Sequence, residues 1–111
     1  MRGEFIDPGA FRHEVALETA TLTPDGAGGH VEAWSEAATL FARIEPVSAA
    51  SRFGADRRLE TVTHRVTLRH RGGIASGMRF RRLGRVFRIL TIHDPDETGR
   101  YLVCRVEEED A

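Results

Sequence analysis

The chain has 111 residues, 41% of them hydrophobic, and a net charge of -1. That is enough for one domain with a single modest core, burying about 65% of the surface that the unfolded chain exposes. All 16 basic residues are Arg, which excludes chemistry that needs a lysine amine, and a lone Cys104 excludes an internal disulfide or a CxxC metal knuckle. The N-terminal "MRGEFIDPGAF" lacks the apolar run of a secretory signal, and no segment approaches the ~20 apolar residues of a membrane span. The expectation is synthesis in the reducing cytoplasm, with no membrane partner.

Period-two alternation predicts strands along most of the chain. In "FRHEVALETAT" Val15 and Leu17 oppose Glu14, Ala16 and Glu18, giving a strand near 13–21. "LTPDGAGGH" then turns the chain. Residues 35–42 fit either a strand or a helical turn, since Ala-Ala and Glu favour helix; strand is assigned from Thr39 to 46, with Leu40, Ala42 and Ile44 inward. Residues 47–60, "VSAASRFGADRRLE", have only isolated apolar groups and read as one long inserted loop.

The second half alternates more cleanly. "TVTHRVTLRHR" places Val62, His64, Val66, Leu68 and His70 on one face and Thr63, Arg65, Thr67, Arg69 and Arg71 on the other, a strand near 61–71. After "GGIASG", residues 78–83 set Met78 and Phe80 against Arg79 and Arg81. Residues 85–93 carry apolar groups on both faces, Val86, Leu90 and Ile92 on one and Phe87 and Ile89 on the other. "DPDETG" is a hairpin loop, followed by a strand at 100–107 with Leu102, Cys104 and Val106 inward. The sum is an all-β fold, a small antiparallel β-barrel of about six strands with one long inserted loop, in a single domain spanning 1–111. Its expected core is Val15, Leu17, Leu40, Ile44, Val66, Leu68, Phe80, Ile89, Leu90 and Leu102.

Catalytic patterns are missing. His64 and His70 are six residues apart on one strand, roughly 20 Å at strand rise, too far to share an ion, and no HxH or HExxH spacing exists. The Ser residues lie in no nucleophile elbow, and Cys104 points inward. "EEED" at 107–110 reads as a solvated terminal run. No enzyme, metal or cofactor site is expected.

The remaining signal is charge. Residues 61–93 hold eight Arg and no acid, whereas residues 94–110 hold seven acids against Arg100 and Arg105. Arg at alternate strand positions is what the solvated face of a half-exposed sheet looks like. A single-strand nucleic-acid binder would add stacking aromatics, for which Phe53, Phe87 and Tyr101 are the candidates. Oppositely charged surfaces on one chain also suit head-to-tail contacts that close into rings.

The order of pieces, "LETATLTPDGAGGHVEAW", "LFARIEPVSA", a variable loop, "THRVTLRHRGGIASGMRFRRLGRVFRILTIHD" and "YLVCRVEE", resembles the bacteriophage head-tail joining proteins, also called head closure or stopper proteins, including those of phage-like gene transfer agents. The resemblance covers about residues 13–107. It implies a β-barrel in a homo-oligomeric ring, beneath a portal or adaptor ring on the head side and against a tail terminator or tail-tube protein on the tail side. Such a ring retains packaged DNA without reading its sequence, and the protein ends in the virion or phage-like particle. By this resemblance the 47–60 loop faces the DNA channel with Arg52, Arg57 and Arg58, while Arg65, Arg69, Arg71, Arg79 and Arg81 form a basic face for ring contacts. A small nucleic-acid-binding β-barrel domain ranks second, and a ligand-binding or enzymatic barrel far behind.

Overall fold

The computed structural model describes residues 6–47 and 61–109. A short 3-10 turn, Pro8–Ala10, precedes six strands: β1 (His13–Pro24), β2 (His30–Pro46), β3 (His64–Arg69), β4 (Arg79–Arg82), β5 (Arg85–His93) and β6 (Tyr101–Glu109). All pairings are antiparallel, in the order β1-β2-β3-β6-β5-β4. The sheet curls until β4 meets β1 over three residue pairs, Ala16↔Arg81, Leu17↔Phe80 and Glu18↔Arg79.

The alternation places one face of each strand inside. Val15 and Leu17 of β1, Ala42 of β2, Val66 and Leu68 of β3, Phe80 of β4, Phe87 and Ile89 of β5, and Leu102, Cys104 and Val106 of β6 form one buried cluster. Each large side chain of this set contributes about 1.5 to 3 kcal/mol by leaving water. Leu40 and Ile44 pack against the cluster without being sealed in it.

β5 explains a misplaced core residue. Its pairing with β6 slips between Ile89 and Thr91, so Ile89 faces Val106 and Ile92 faces Cys104. The extra residue is Leu90, and the bulge turns it out of the core while bringing Ile92 onto the face of Phe87 and Ile89. The freed Leu90 carbonyl accepts the Ser76 hydroxyl at 3.0 Å. Strict alternation therefore holds only as far as Ile89.

The expected small β-barrel with one long inserted loop is corrected here. The fold is all-β, one six-stranded antiparallel sheet, but a large part of its longest pair belongs to no barrel. β2 begins at His30 rather than Thr39, and residues 19–24 and 30–35 pair only with each other. They form a two-stranded arm on a molecule measuring 54 × 31 × 26 Å. The arm leaves the body at a bulge: Leu17 pairs with Ala38 and Glu18 with Glu36, so Ala37 is unmatched. Residues 48–60 of the expected inserted loop lie outside the described residues.

Candidate functional site

The arm turns at Asp25–Gly29. One carboxylate oxygen of Asp25 accepts the amides of Ala27 (2.8 Å) and Gly29 (3.0 Å), which holds its pKa below the usual carboxylate value. Gly26 and Gly28 take φ of 82° and 86°, the left-handed region that a side chain disfavours. Along the arm, cross-strand pairs Ala20↔Trp34 and Leu22↔Glu32 lie on one face, and Thr19, Thr21, Thr23, Val31, Ala33 and Ser35 on the other. Leu22 and Val31 are 61% and 57% exposed.

Arg79 fixes the base of the arm. Its Nε donates to the nearly buried Glu18 carboxylate at 2.6 Å, and its guanidinium lies 4.0 Å over the Trp34 ring. Trp34 Nε1 in turn donates to Glu32 at 3.1 Å. One Arg of the body thus joins a β1 acid and a β2 aromatic, and it does so with a planar cation that can pair at its edge while stacking by its face.

The five arginines expected to form a basic face are divided. Arg65 and Arg69 lie on β3, with Arg71 just beyond it, whereas Arg79 and Arg81 lie on β4. Two strands separate β3 from β4 in either direction around the sheet. Arg65 approaches Glu45 at 3.3 Å, and Arg81 approaches Glu18 at 3.7 Å. Arg71 Nε donates to the Gly72 carbonyl, and Arg69 has no acidic partner among the described residues. Arg52, Arg57 and Arg58 lie outside the described residues.

Chain pairing also cancels much of the charge segregation. Because β5 runs beside β6, Arg85 forms a two-pronged contact with Glu108 (2.8 and 3.0 Å), and Arg88 approaches Glu109 at 3.6 Å. That pairing lowers the Glu108 pKa and raises that of Arg85. His64 sits edge-on to Phe87, centroids 5.2 Å apart, and burial pushes its pKa down despite Glu108 nearby.

Two oppositely charged surfaces remain. From Arg12 to Arg43 the sequence has no other basic residue except histidine, and the arm's Asp25, Glu32 and Glu36 have no cationic partner among the described residues. Below the bulge, β3 stops at Arg69 while β2 continues, so Thr39–Phe41 keeps one edge unpaired by β3. An open groove of about 410 Å³ lies there, with Leu40, Phe41 and Leu68 along it, Phe11 beside it and Arg69, His70 and Arg71 at its rim. Phe41 is 59% exposed. Sequence reading missed this groove because nothing local marks where a neighbouring strand stops.

Among the described residues neither a nucleophile nor a stacking platform assembles from the candidates named by sequence, and Phe53 lies outside those residues. Burial pushes the Cys104 thiol up to about 12. Phe87 is fully buried, and Tyr101 packs edge-on against Phe11 at 5.7 Å. His13, His30, His64, His70 and His93 stay dispersed, and among the described residues no three potential metal ligands come together.

Comparison with known proteins decides the family. The model for phage head completion proteins matches residues 6–109. The chain belongs to that family. It is a non-catalytic structural head-completion protein of a phage or gene-transfer-agent-like particle, a role that implies contacts with portal and tail in general. Among solved structures, a chain in the virion of a native gene transfer agent particle is 30% identical, with a TM-score of 0.65 and coverage of 90% of this chain and 96% of that one. Protein SF1141 from Shigella flexneri 2a is 26% identical, with a TM-score of 0.68 and coverage of 91% and 96%. No curated protein matches the chain.

Proposed function

We propose that copies of this head completion protein form a homo-oligomeric ring between a portal or adaptor ring on the head side and the tail terminator or tail-tube protein on the tail side. The ring retains packaged DNA and presents the surface to which the tail attaches. The observation that carries this reading is the match over nearly the whole chain to a protein of a native gene transfer agent virion. Isolated, the chain is monomeric or weakly self-associating, and the preformed head-side ring supplies the template that concentrates it.

In the same reading Arg52, Arg57 and Arg58 meet the phosphate backbone of the DNA, a contact that carries no sequence information and so suits a conduit. Arg65, Arg69, Arg71 and Arg81 face acidic surfaces of the neighbouring copy, since a head-to-tail contact needs complementary charge, while Arg79 supports the contact from within through Glu18.

The test is a producer strain lacking the gene. Heads should package full-length DNA, lose it on storage and carry no tails, all restored by the wild-type gene in trans. Normally tailed, DNA-retaining particles made without this protein would remove the proposed role.

A further inference from the structure

We propose that the subunit contact of this ring is made by the arm of one copy lying in the groove of the next, with Leu22 against Phe41 and Glu32 against Arg69 and Arg71. The inference rests on the ring reading and specifies the surface that reading leaves open.

Three features point to a second copy as the occupant. The first is sign: the arm and its base carry Asp25, Glu32 and Glu36 and no Arg, while Arg69, His70 and Arg71 line the groove. Elsewhere charges pair within the molecule, as in Arg85–Glu108 and Arg79–Glu18, whereas among the described residues those of these two surfaces have no partner of opposite charge. The second is chemistry: cross-strand partners Leu22 and Glu32 present an apolar group beside an acid, the complement of exposed Phe41 beside Arg69. The third is reach: the arm's six residue pairs beyond the body, Thr19↔Ser35 to Pro24↔His30, extend about 20 Å at strand rise.

The arm cannot serve its own groove. Glu32 and Thr39 lie seven residues apart on the same continuous strand β2, so Glu32 stands about 23 Å up the strand from the groove it would have to reach, and the tip stands farther still. The bulge at Ala37 and the Arg79 clamp both lie between them in the chain or at the arm's base and hold that separation. A contact between two different patches of one chain is heterologous, and repetition with a closing rotation gives a ring.

The experiment uses full-length chains in complete particles. Leu22→Cys and Phe41→Cys are placed together in one chain, with each single variant as control; Cys104 stays in place because it is buried. Mild oxidation of purified particles should give a ladder of covalent oligomers with the double variant and none with either single variant. In parallel, Glu32→Arg, or Arg69→Glu with Arg71→Glu, should each cut incorporation into particles at least about tenfold, because like charges then face each other. All three changes in one chain should restore incorporation.

Particles that contain the double-cysteine chain yet give no ladder overturn the arm-in-groove contact and leave the ring reading standing. Unchanged incorporation of both charge variants does the same. Absence of the wild-type protein from particles overturns the ring reading and this contact with it.

Discussion

The arm and the body of this protein are built from the same alternating pattern with opposite results. In the body the large inward residues are Leu, Val, Ile and Phe, and five of them, Leu17, Val66, Phe80, Phe87 and Val106, are completely sealed from water. In the arm, "TATLTP" pairs with "HVEAWS", and neither face buries a residue fully, with only Thr19, Ala20 and Trp34 near the base half-buried. A two-stranded ribbon is marginal in water, and this one persists through its Asp25 turn, its continuity with β1 and β2, and the Arg79 clamp. Alternation specifies a strand; side-chain size on the inward face decides whether that strand lies in a core or projects from it.

The largest expected effect tests the body. Leu68→Ala should cost roughly 2 to 5 kcal/mol, because the side chain is fully enclosed and its neighbours cannot collapse completely into the space. Chemical denaturation measures this, and a loss below about half a kcal/mol would place Leu68 on the arm's side of the comparison. Next is the joint between the regions. Arg79→Ala should cost about 3 kcal/mol by leaving nearly buried Glu18 without its hydrogen-bonded cation, with only the longer 3.7 Å approach of Arg81 remaining. Adding Glu18→Gln should recover part of that loss, whereas additive losses would show the two residues act independently.

Much of the body was legible in the sequence. Strands predicted at 85–93 and 100–107 match β5 and β6 closely, because their inward residues are large and their turns carry Gly and Asp. The arm was only half legible. The strand expected near 13–21 stops short of the end of β1 at Pro24, residues 30–38 carry no amphipathic signal, and the Ala-Ala run suggests a helical turn as readily as a strand. The Arg positions were found as a set, yet their roles were not. That Arg79 is committed to Glu18 and Trp34 depends on a β1–β4 pairing separated by 61 positions, which no local pattern encodes.

A smaller, opposite change sharpens the picture of the body's turns. Leu83 adopts φ of 50° beside Gly84 at 81°, a two-residue turn of the kind that favours Asn or Gly, and its side chain is 85% exposed. Leu83→Asn should therefore stabilise the protein by about 1 kcal/mol. If thermal unfolding instead shows a loss, Leu83 makes contacts that its exposure conceals.

Acid separates the regions by titration. Burial lowers the His64 pKa below 6.5 in the folded protein, so the unfolded chain takes the proton first. Stability from this site is complete above pH 6.5 and is lost as pH falls through the folded value. The groups facing it are Glu108 at 3.9 Å, Arg85 and the Thr63 hydroxyl. His64→Gln should flatten the slope of stability between pH 7 and about 5. An unchanged slope would assign the acid response elsewhere, since the Asp25, Asp96 and Glu108 carboxylates, all with lowered pKa, respond only as pH falls from the ordinary carboxylate range downward.

The smallest effect on stability belongs to the arm, where it is most informative. Leu22→Ala removes an apolar side chain that is mostly in water already, so unfolding of the isolated chain should change by no more than about 0.5 kcal/mol. The same substitution in particles removes the group proposed to meet Phe41 and should lower the protein's occupancy at the head-tail junction. Leu17→Ala, at a sealed core position away from the groove, offers the reverse comparison, a large stability loss with the contact surfaces left chemically intact. Occupancy measured below each variant's melting range separates the two. If occupancy follows stability alone, the arm is a passive extension of β1 and β2; if it falls for Leu22→Ala with stability unchanged, the ribbon that contributes so little to the fold is there for the neighbouring copy.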